Sequence, residues 1–286
     1  MNNDRIQEIL DLMEEARLDY FLISDPQSIA YCTGYYNNPH ERMFVFMISK
    51  HGNHTLFMND LFYLDHDLDV NIVWHKDGQD AIQTIVDEMH FPGRIGIDKN
   101  WASHFLLDLM KKLPDAKYIN ASPCVDLVRM KKDLQEQVLM IESSKINDAV
   151  MEEIISFIQE GVTEKQLAKK LDELFFNHHS TCYGAIVAFG KNAADPHHEN
   201  DDTPLRKGDC VLIDMGCVYK GYCSDMTRTF FYEGILEEEI KVYEIVKKAN
   251  EAAEAMIKPG VKLSDIDKCA RKVISDEGYG QYFTHR

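Results

Sequence analysis

Two strand-like segments in the second half of the chain are joined by four residues that include a glycine, and each segment carries one aspartate. Residues 210–217 are mainly apolar, and residues 222–232 are rich in tyrosine, threonine and phenylalanine. This composition predicts a β-hairpin that turns near Gly221. A four-residue loop over 218–221 would place Asp214 directly opposite Asp225, with their Cβ atoms roughly 5 Å apart on one face of the sheet.

Two carboxylates in this arrangement predict a cation site. Like charges directly opposed on a sheet are destabilising. Because Asp214 follows an apolar run, we expect dry surroundings, in which two ionised carboxylates must share a proton or bind a cation. Oxygen ligands suit hard divalent ions such as Mn²⁺ or Mg²⁺. The alternative is a hairpin whose aspartates point into solvent, and the spacing by itself does not decide between the two.

Composition limits the class of protein and its partners. The chain has 286 residues, 45% hydrophobic and 28% charged, which predicts a globular protein of two domains. The formal net charge of −17 argues against nucleic acid or an anionic membrane as a partner. The first residues lack the basic region and apolar core of a signal peptide. The seven cysteines include no Cys-x-x-Cys pair, so we expect reduced thiols and a cytoplasmic location.

The hydrophobic pattern predicts an amino-terminal α/β domain over residues 1–127 and a second domain over residues 128–286. In the first domain, strands and helices alternate after an amphipathic helix. Its strands are predicted at 20–23, 43–49, 54–58, 71–74, 94–97 and 117–120, and its helices at 4–17, 79–89 and 101–112. In the second domain, Asp133 is predicted to cap a long helix, with Glu136 completing a capping box.

The rest of the second domain is predicted to contain further helices and strands around the hairpin. The predicted helices cover 133–159, 164–176, 236–257 and 263–277, and the predicted strands cover 184–189, the hairpin at 209–232 and a segment near Tyr282. Because a two-stranded hairpin needs more strands against a helical layer, we expect this domain to be incomplete in the 286-residue chain.

Several segments in order resemble the pita-bread metallopeptidases, which include prolidase, aminopeptidase P, methionine aminopeptidase and creatinase. The resemblance is carried by residues 192–197, 205–216, 221–230, 258–261 and 283–286. It implies an α/β (α+β) protein with a creatinase-like amino-terminal α/β domain and an incomplete pita-bread catalytic domain. Residues 34–42 resemble the Xaa-Pro dipeptidases of Gram-positive bacteria, and residues 35–42 are our candidate for excluding longer peptides.

The resemblance also implies a site with two divalent metal ions and five protein ligands. Asp214 and Asp225 match the two aspartate ligands, with Asp225 in the bridging position. The histidine and two glutamate ligands of the family would follow residue 286. Mn²⁺ is the expected metal, with Co²⁺ or Zn²⁺ as alternatives. His197 resembles the histidine that contacts substrate and handles protons near the leaving nitrogen, and His285 resembles the one that hydrogen-bonds the substrate carbonyl or the tetrahedral intermediate.

Two neighbouring residues are harder to assign. His198 adjoins His197 but matches no family position. Arg228 is either a partner for the carboxylates or an ordinary strand arginine.

The expected function is hydrolysis of the bond before proline in Xaa-Pro dipeptides by a homodimeric enzyme. Proline leaves this bond without an N–H, so proteases that bind an extended backbone handle it poorly. Two metal ions can supply a hydroxide and polarise the carbonyl. The alternatives are an aminopeptidase P-type exopeptidase and a noncatalytic pita-bread binding protein. Creatinase is less favoured, because it has no need for both aspartates.

The ligand count gives a first testable prediction. With two of five ligands, the 286-residue chain by itself is expected to bind Mn²⁺ weakly and to hydrolyse Xaa-Pro dipeptides negligibly. Turnover of a Leu-Pro dipeptide by this chain at an ordinary enzyme rate would refute the prediction.

Overall fold

The structure, a computed structural model, describes residues 1–90 and 92–284. The chain divides into two compact units, Met1–Lys132 and Asp133–Arg286. Each unit has its own hydrophobic core and is described separately.

The first unit is built on one six-stranded mixed sheet in the order β4-β3-β2-β1-β5-β6. Its strands are β1 (Tyr20–Ile23), β2 (Val45–Ser49), β3 (Thr55–Asn59), β4 (Asn71–His75), β5 (Arg94–Ile97) and β6 (Lys117–Asn120). Its helices are α1 (Asn3–Glu15), α2 (Pro26–Thr33), α3 (Ala81–Asp87), α4 (Ser103–Lys112) and α5 (Ser122–Met130). β1 runs parallel to β5 and antiparallel to β2.

Both faces of this sheet are covered by helices. All four residues of β1 are buried. Phe21 and Ile23 belong to the core that contains side chains of α1, α2 and α5, whereas Tyr20 and Leu22 belong to the core that contains side chains of α3 and α4. Successive strand side chains point to opposite faces, so the fully apolar run in β1 fits a central strand between two helical layers. The predicted α/β class is confirmed.

Two helices of this unit lie outside the predicted elements. α2 follows Asp25, whose side chain accepts a hydrogen bond from the Ser28 N–H, and it ends at Gly34 with φ of +81°. Asp and Pro at the start and Gly after the end are ordinary helix signals. α5 places Val125 and Val128 in the core of the first unit. The observed division therefore lies five residues after the predicted boundary at 127/128.

The second unit contains two three-stranded sheets, in the orders β12-β9-β8 and β11-β10-β7. Its strands are β7 (Thr181–Cys182), β8 (Ile186–Phe189), β9 (Cys210–Met215), β10 (Cys217–Tyr219), β11 (Tyr222–Cys223) and β12 (Met226–Phe231). Its helices are α6 (Leu134–Ile154), α7 (Glu164–Asn177), α8 (Glu237–Glu254) and α9 (Leu263–Asp276). The predicted capping box of Asp133 and Glu136 at the start of α6 is confirmed.

The alternation along β9 determines where a site can form. Val211, Ile213 and Met215 are buried in the core that contains side chains of α6 and α7. Because successive residues alternate across a strand, Leu212 and Asp214 lie on the other face. Asp214 is therefore directed away from the helical layer.

The predicted strand near Tyr282 is wrong. Gly280–Tyr282 forms a turn of 3₁₀ helix after α9. The Arg271 guanidinium donates a hydrogen bond of 2.6 Å to the Phe283 carbonyl and lies over the Phe283 ring, so these residues fold back onto α9 instead of extending. Within the described ranges, none of the helices combines the length and the apolar character needed to cross a bilayer.

Candidate functional site

The hairpin between the two aspartates turns more tightly than predicted. Tyr219 pairs with Tyr222, and Val218 pairs with Cys223. Lys220 and Gly221 therefore form a two-residue loop, and their φ angles of +48° and +85° are those of a type I′ turn. The twist of this turn matches that of paired strands, so Val218 and Tyr219 belong to a strand and not to the loop.

The shorter loop changes the pairing of the aspartates. Asp214 lies opposite Thr227, and the pairing continues through Met215 and Met226. The predicted direct opposition of Asp214 and Asp225 is therefore wrong by two residues. A shift of two residues preserves the side-chain alternation, so Asp214 and its partner Thr227 stay on the face away from α6 and α7. Asp225 lies between β11 and β12, outside both strands.

The two carboxylates differ in exposure and share a neighbour. Asp214 is half-buried and accepts a hydrogen bond of 2.8 Å from the Thr227 hydroxyl. Asp225 is exposed. The Tyr183 hydroxyl donates to the Ser224 carbonyl at 2.9 Å and lies 3.4 Å from Asp225 Oδ2.

The ionisation of Tyr183 reflects this negative environment. Burial of the phenol, then the charge of Asp225, and more weakly the charge of Asp214 raise the pKa of Tyr183 to about 12. The phenol therefore stays protonated at neutral pH and can donate hydrogen bonds only. Both carboxylates therefore lie near enough to this phenol to act on its pKa, Asp225 more strongly than Asp214.

The donor set at this position fits a divalent metal ion. In the part of the chain that the structure describes, neither Asp214 nor Asp225 forms an ion pair with lysine or arginine. Arg228 donates to the Thr227 carbonyl, and as the next residue it lies on the opposite face of β12. Two unneutralised carboxylates provide the oxygen ligands that hard divalent cations prefer. Their assignment as metal ligands stays a prediction.

Gly216 allows the segments around the aspartates to approach closely. A Cβ at this position would lie 2.3 Å from the Ser224 carbonyl oxygen and 2.4 Å from the Tyr183 hydroxyl oxygen. Contacts this short do not occur between real atoms, so only glycine fits. The close approach brings Tyr183 beside the backbone that precedes Asp225.

His197 lies in the loop that follows the 3₁₀ helix Gly190–Ala194. The residue is exposed, and its backbone N–H donates to the Asp195 side chain at 3.0 Å. The assignment of His197 as a catalytic residue stays a prediction. His285, the other predicted catalytic residue, lies outside the described residues.

A second cluster of possible ligands lies beside this loop. Glu164, His198 and Asp201 each offer one ligand atom, and these atoms lie within 4.8 Å of one another. However, the buried Glu164 carboxylate already accepts four hydrogen bonds, from Phe189 N, Asn192 Nδ2, His198 Nε2 and Asp201 N. A carboxylate has about four lone-pair sites. An ion here would have to displace these donors, so the aspartate pair is the better metal candidate.

The sequence patterns of two protein families match this chain. The pattern of metallopeptidase family M24 matches residues 138–286. The chain belongs to metallopeptidase family M24. The pattern of the creatinase/prolidase amino-terminal domain matches residues 5–131. The predicted pita-bread family and the two-part fold are thereby confirmed, and the protein is assigned to a class of peptidases.

Relatives of this M24 protein include bacterial and archaeal peptidases. An uncharacterized peptidase of Staphylococcus aureus is 31% identical over an alignment of 291 residues, gaps included. The alignment covers 99% of this chain and 81% of that protein. A dipeptidase structure from Pyrococcus horikoshii is 34% identical, with a TM-score of 0.88 over 99% of this chain and 80% of that one. A prolidase structure from Thermococcus sibiricus is 29% identical, with a TM-score of 0.91 over 100% of this chain and 80% of that one.

Two residues of the site region were not predicted from the sequence. Tyr183 directly follows the short strand β7 and has no motif around it, and its contact with the Ser224 carbonyl depends on the fold of the hairpin. Glu164 follows the helix cap Thr163, so its place at the start of α7 could be read from the sequence. Its complete burial could not, because a glutamate in a first helical turn is normally solvated.

Proposed function

We propose that this protein is an Xaa-Pro dipeptidase that uses two divalent metal ions, with Mn²⁺ first and Co²⁺ or Zn²⁺ as alternatives. One observation carries the proposal. Asp214 and Asp225 lie beside Tyr183 without a cationic partner in the described part of a chain that is similar to a prolidase and a dipeptidase.

Each proposed site residue has a defined role in this reaction. When bound, the metal ions supply a hydroxide nucleophile and polarise the carbonyl that it attacks. Asp214 and Asp225 would hold the ions, with Asp225 as the ligand shared by both. His197 orients the substrate and assists departure of the proline nitrogen as a proton donor. His285 stabilises the oxyanion that develops on the substrate carbonyl.

The proposal extends to location and assembly. Each of the seven cysteines is a free thiol, which supports a cytoplasmic protein, where thiols stay reduced. We propose that the protein is a homodimer and that its substrates are Xaa-Pro dipeptides. Nucleic acid and membranes are not expected as partners, in keeping with the net charge of −17.

The decisive experiment measures hydrolysis of dipeptides by protein expressed from its full coding sequence. We expect Mn²⁺-loaded protein to hydrolyse Leu-Pro with a kcat on the order of 10 s⁻¹, typical of enzymes, and to leave Leu-Gly largely intact. A chelator should abolish the activity and added Mn²⁺ should restore it, because the nucleophile depends on the metal.

Peptide length separates the alternatives. Rejection of Leu-Pro-Gly together with cleavage of Leu-Pro supports the dipeptidase. Preferred cleavage of Leu-Pro-Gly would make the protein an aminopeptidase P-type exopeptidase. Failure to cleave either peptide, with two Mn²⁺ ions bound per chain, would reject the proposal and favour a noncatalytic protein.

A further inference from the structure

Glu164 is the buried acceptor around which the His197 loop is organised. Its side chain has 0% exposure although it is the first residue of α7. One carboxylate oxygen accepts from the Phe189 N–H and from the Asn192 side chain, each at 2.9 Å. The other accepts from His198 Nε2 at 2.6 Å and from the Asp201 N–H at 3.1 Å. Three of these four donors therefore lie in residues 192–201, which contain the end of the 3₁₀ helix and the loop with His197; these residues are called the 192–201 loop below.

The same loop is also tied to the strand beside Asp214. The Asn200 side chain accepts from the Val187 N–H and donates to the Ala185 carbonyl, each at 2.7 Å. These two bonds flank Ile186, which pairs with Asp214 across β8 and β9. The loop is thus held at one point by Glu164 and at another by the strand that neighbours Asp214.

We propose that Glu164 is a positioning residue: its carboxylate holds the 192–201 loop in the conformation that directs His197 towards the face carrying Asp214, and His198 is the link next to His197. The inference deepens the proposed function and rests on it. Glu164 acts through the loop and touches neither substrate nor metal.

The hydrogen-bond pattern explains why a carboxylate is required. Each oxygen of Glu164 receives one backbone N–H, from Phe189 on one side and from Asp201 on the other. A glutamine in either orientation would turn its NH₂ group towards one of these N–H donors. Two donors facing each other leave a buried group unpaired. Glu164→Gln should therefore release one side of the loop, although glutamine has nearly the same shape as glutamate.

The test compares Glu164→Gln with Glu199→Gln in protein expressed from its full coding sequence and loaded with Mn²⁺. Glu199 is exposed and adjoins His198, so its change removes the same charge, from the loop that Glu164 holds, without touching the buried cluster. We expect Glu164→Gln to lower kcat for Leu-Pro about 100-fold, the cost of a misplacement of about 1 Å, with KM changed less than about threefold. Glu199→Gln should leave both constants within about twofold.

A double mutant identifies the residue through which Glu164 acts. If Glu164 acts through His197, the variant carrying both Glu164→Gln and His197→Ala should be no more than about threefold slower than His197→Ala alone, since effects on coupled residues do not add. An additional 100-fold loss would overturn the inference. So would loss of one bound metal ion per chain in Glu164→Gln, because the cluster would then be a metal site.

Two readouts without substrate separate this inference from the proposed function. In Glu164→Gln, we expect amide hydrogen exchange at Asp201 to rise about tenfold or more, as for a locally opened segment, and the imidazole NMR signals of His197 to shift. Unchanged exchange and unchanged His197 signals would reject the inference in any protein, active or inactive. Shifted signals in a protein that never cleaves Leu-Pro would reject the proposed function alone.

A second variant covers the case in which Glu164→Gln does not fold. His198→Ala removes only the donor next to His197 and leaves the other three bonds to Glu164. We expect it to lower kcat for Leu-Pro about tenfold and to shift the His197 signals. Wild-type kcat with unshifted His197 signals in this variant would also contradict the inference.

Discussion

Asp225→Asn is expected to abolish binding of a pair of divalent ions and to lower Leu-Pro turnover about a thousandfold or more. Asparagine has the same size and differs in charge, and a neutral amide oxygen cannot bridge two cations as a carboxylate does. Lewis-acid activation by bound metals is worth several kcal/mol of transition-state stabilisation, and about 4 kcal/mol corresponds to about a thousandfold in rate. Metal content per chain and kcat are measured on protein expressed from its full coding sequence.

The matched control for this change is Asp265→Asn. Asp265 lies in the first turn of α9 and pairs with Lys268 at the surface. Its change therefore removes the same charge at a position outside the hairpin. The control should bind metal and turn over Leu-Pro as the wild type does. Two ions per chain in Asp225→Asn would contradict the bridging role.

Gly216→Ala is expected to destabilise the second unit by about 3 kcal/mol or more, at the upper end of overpacking substitutions. The added methyl group would lie 2.3 Å from the Ser224 carbonyl oxygen and 2.4 Å from the Tyr183 hydroxyl oxygen. Backbone cannot yield to it as a flexible side chain does, so the segments on either side of the aspartates must separate. Urea unfolding gives the loss of stability as a lower midpoint at unchanged slope.

Gly221→Ala provides the comparison within the same hairpin. At Gly221 no atom lies within 4 Å of an added Cβ, but φ is +85°. Alanine there should cost only about 1 kcal/mol, from the left-handed backbone. Equal losses in the two variants would show that the close approach at Gly216 is relieved without strain.

Much of the fold could be predicted because it depends on local patterns. The strands of the first unit follow from apolar runs, and β1 and β5 fall on the predicted residues 20–23 and 94–97. The α6 capping box follows from the identity of two residues three positions apart. α2 was missed although Asp25, Pro26 and Gly34 carry the usual helix signals, because Asp-Pro is equally typical of a turn.

The hairpin shows how one local uncertainty changes a site. A loop of four residues and a loop of two residues both fit Val218–Gly221, and only the pairing of Tyr219 with Tyr222 selects the second. The two-residue loop makes Thr227, and not Asp225, the residue that lies opposite Asp214. Because the shift was an even number of residues, Asp214 keeps its predicted face.

The sequence by itself determined the family and the two-part architecture, and it placed Asp214 on one face of a hairpin, since these depend on residue types at fixed spacing and on alternation along a strand. The tertiary structure alone decided the contact of Tyr183 with the Ser224 carbonyl and the close approach of both groups to Gly216, which only glycine permits. It also decided the burial of Glu164 under a loop that begins about 30 residues later in the chain. These features join segments that are distant in the chain. No local periodicity encodes such contacts, because they exist only once the packing of the helices and sheets has brought the segments together.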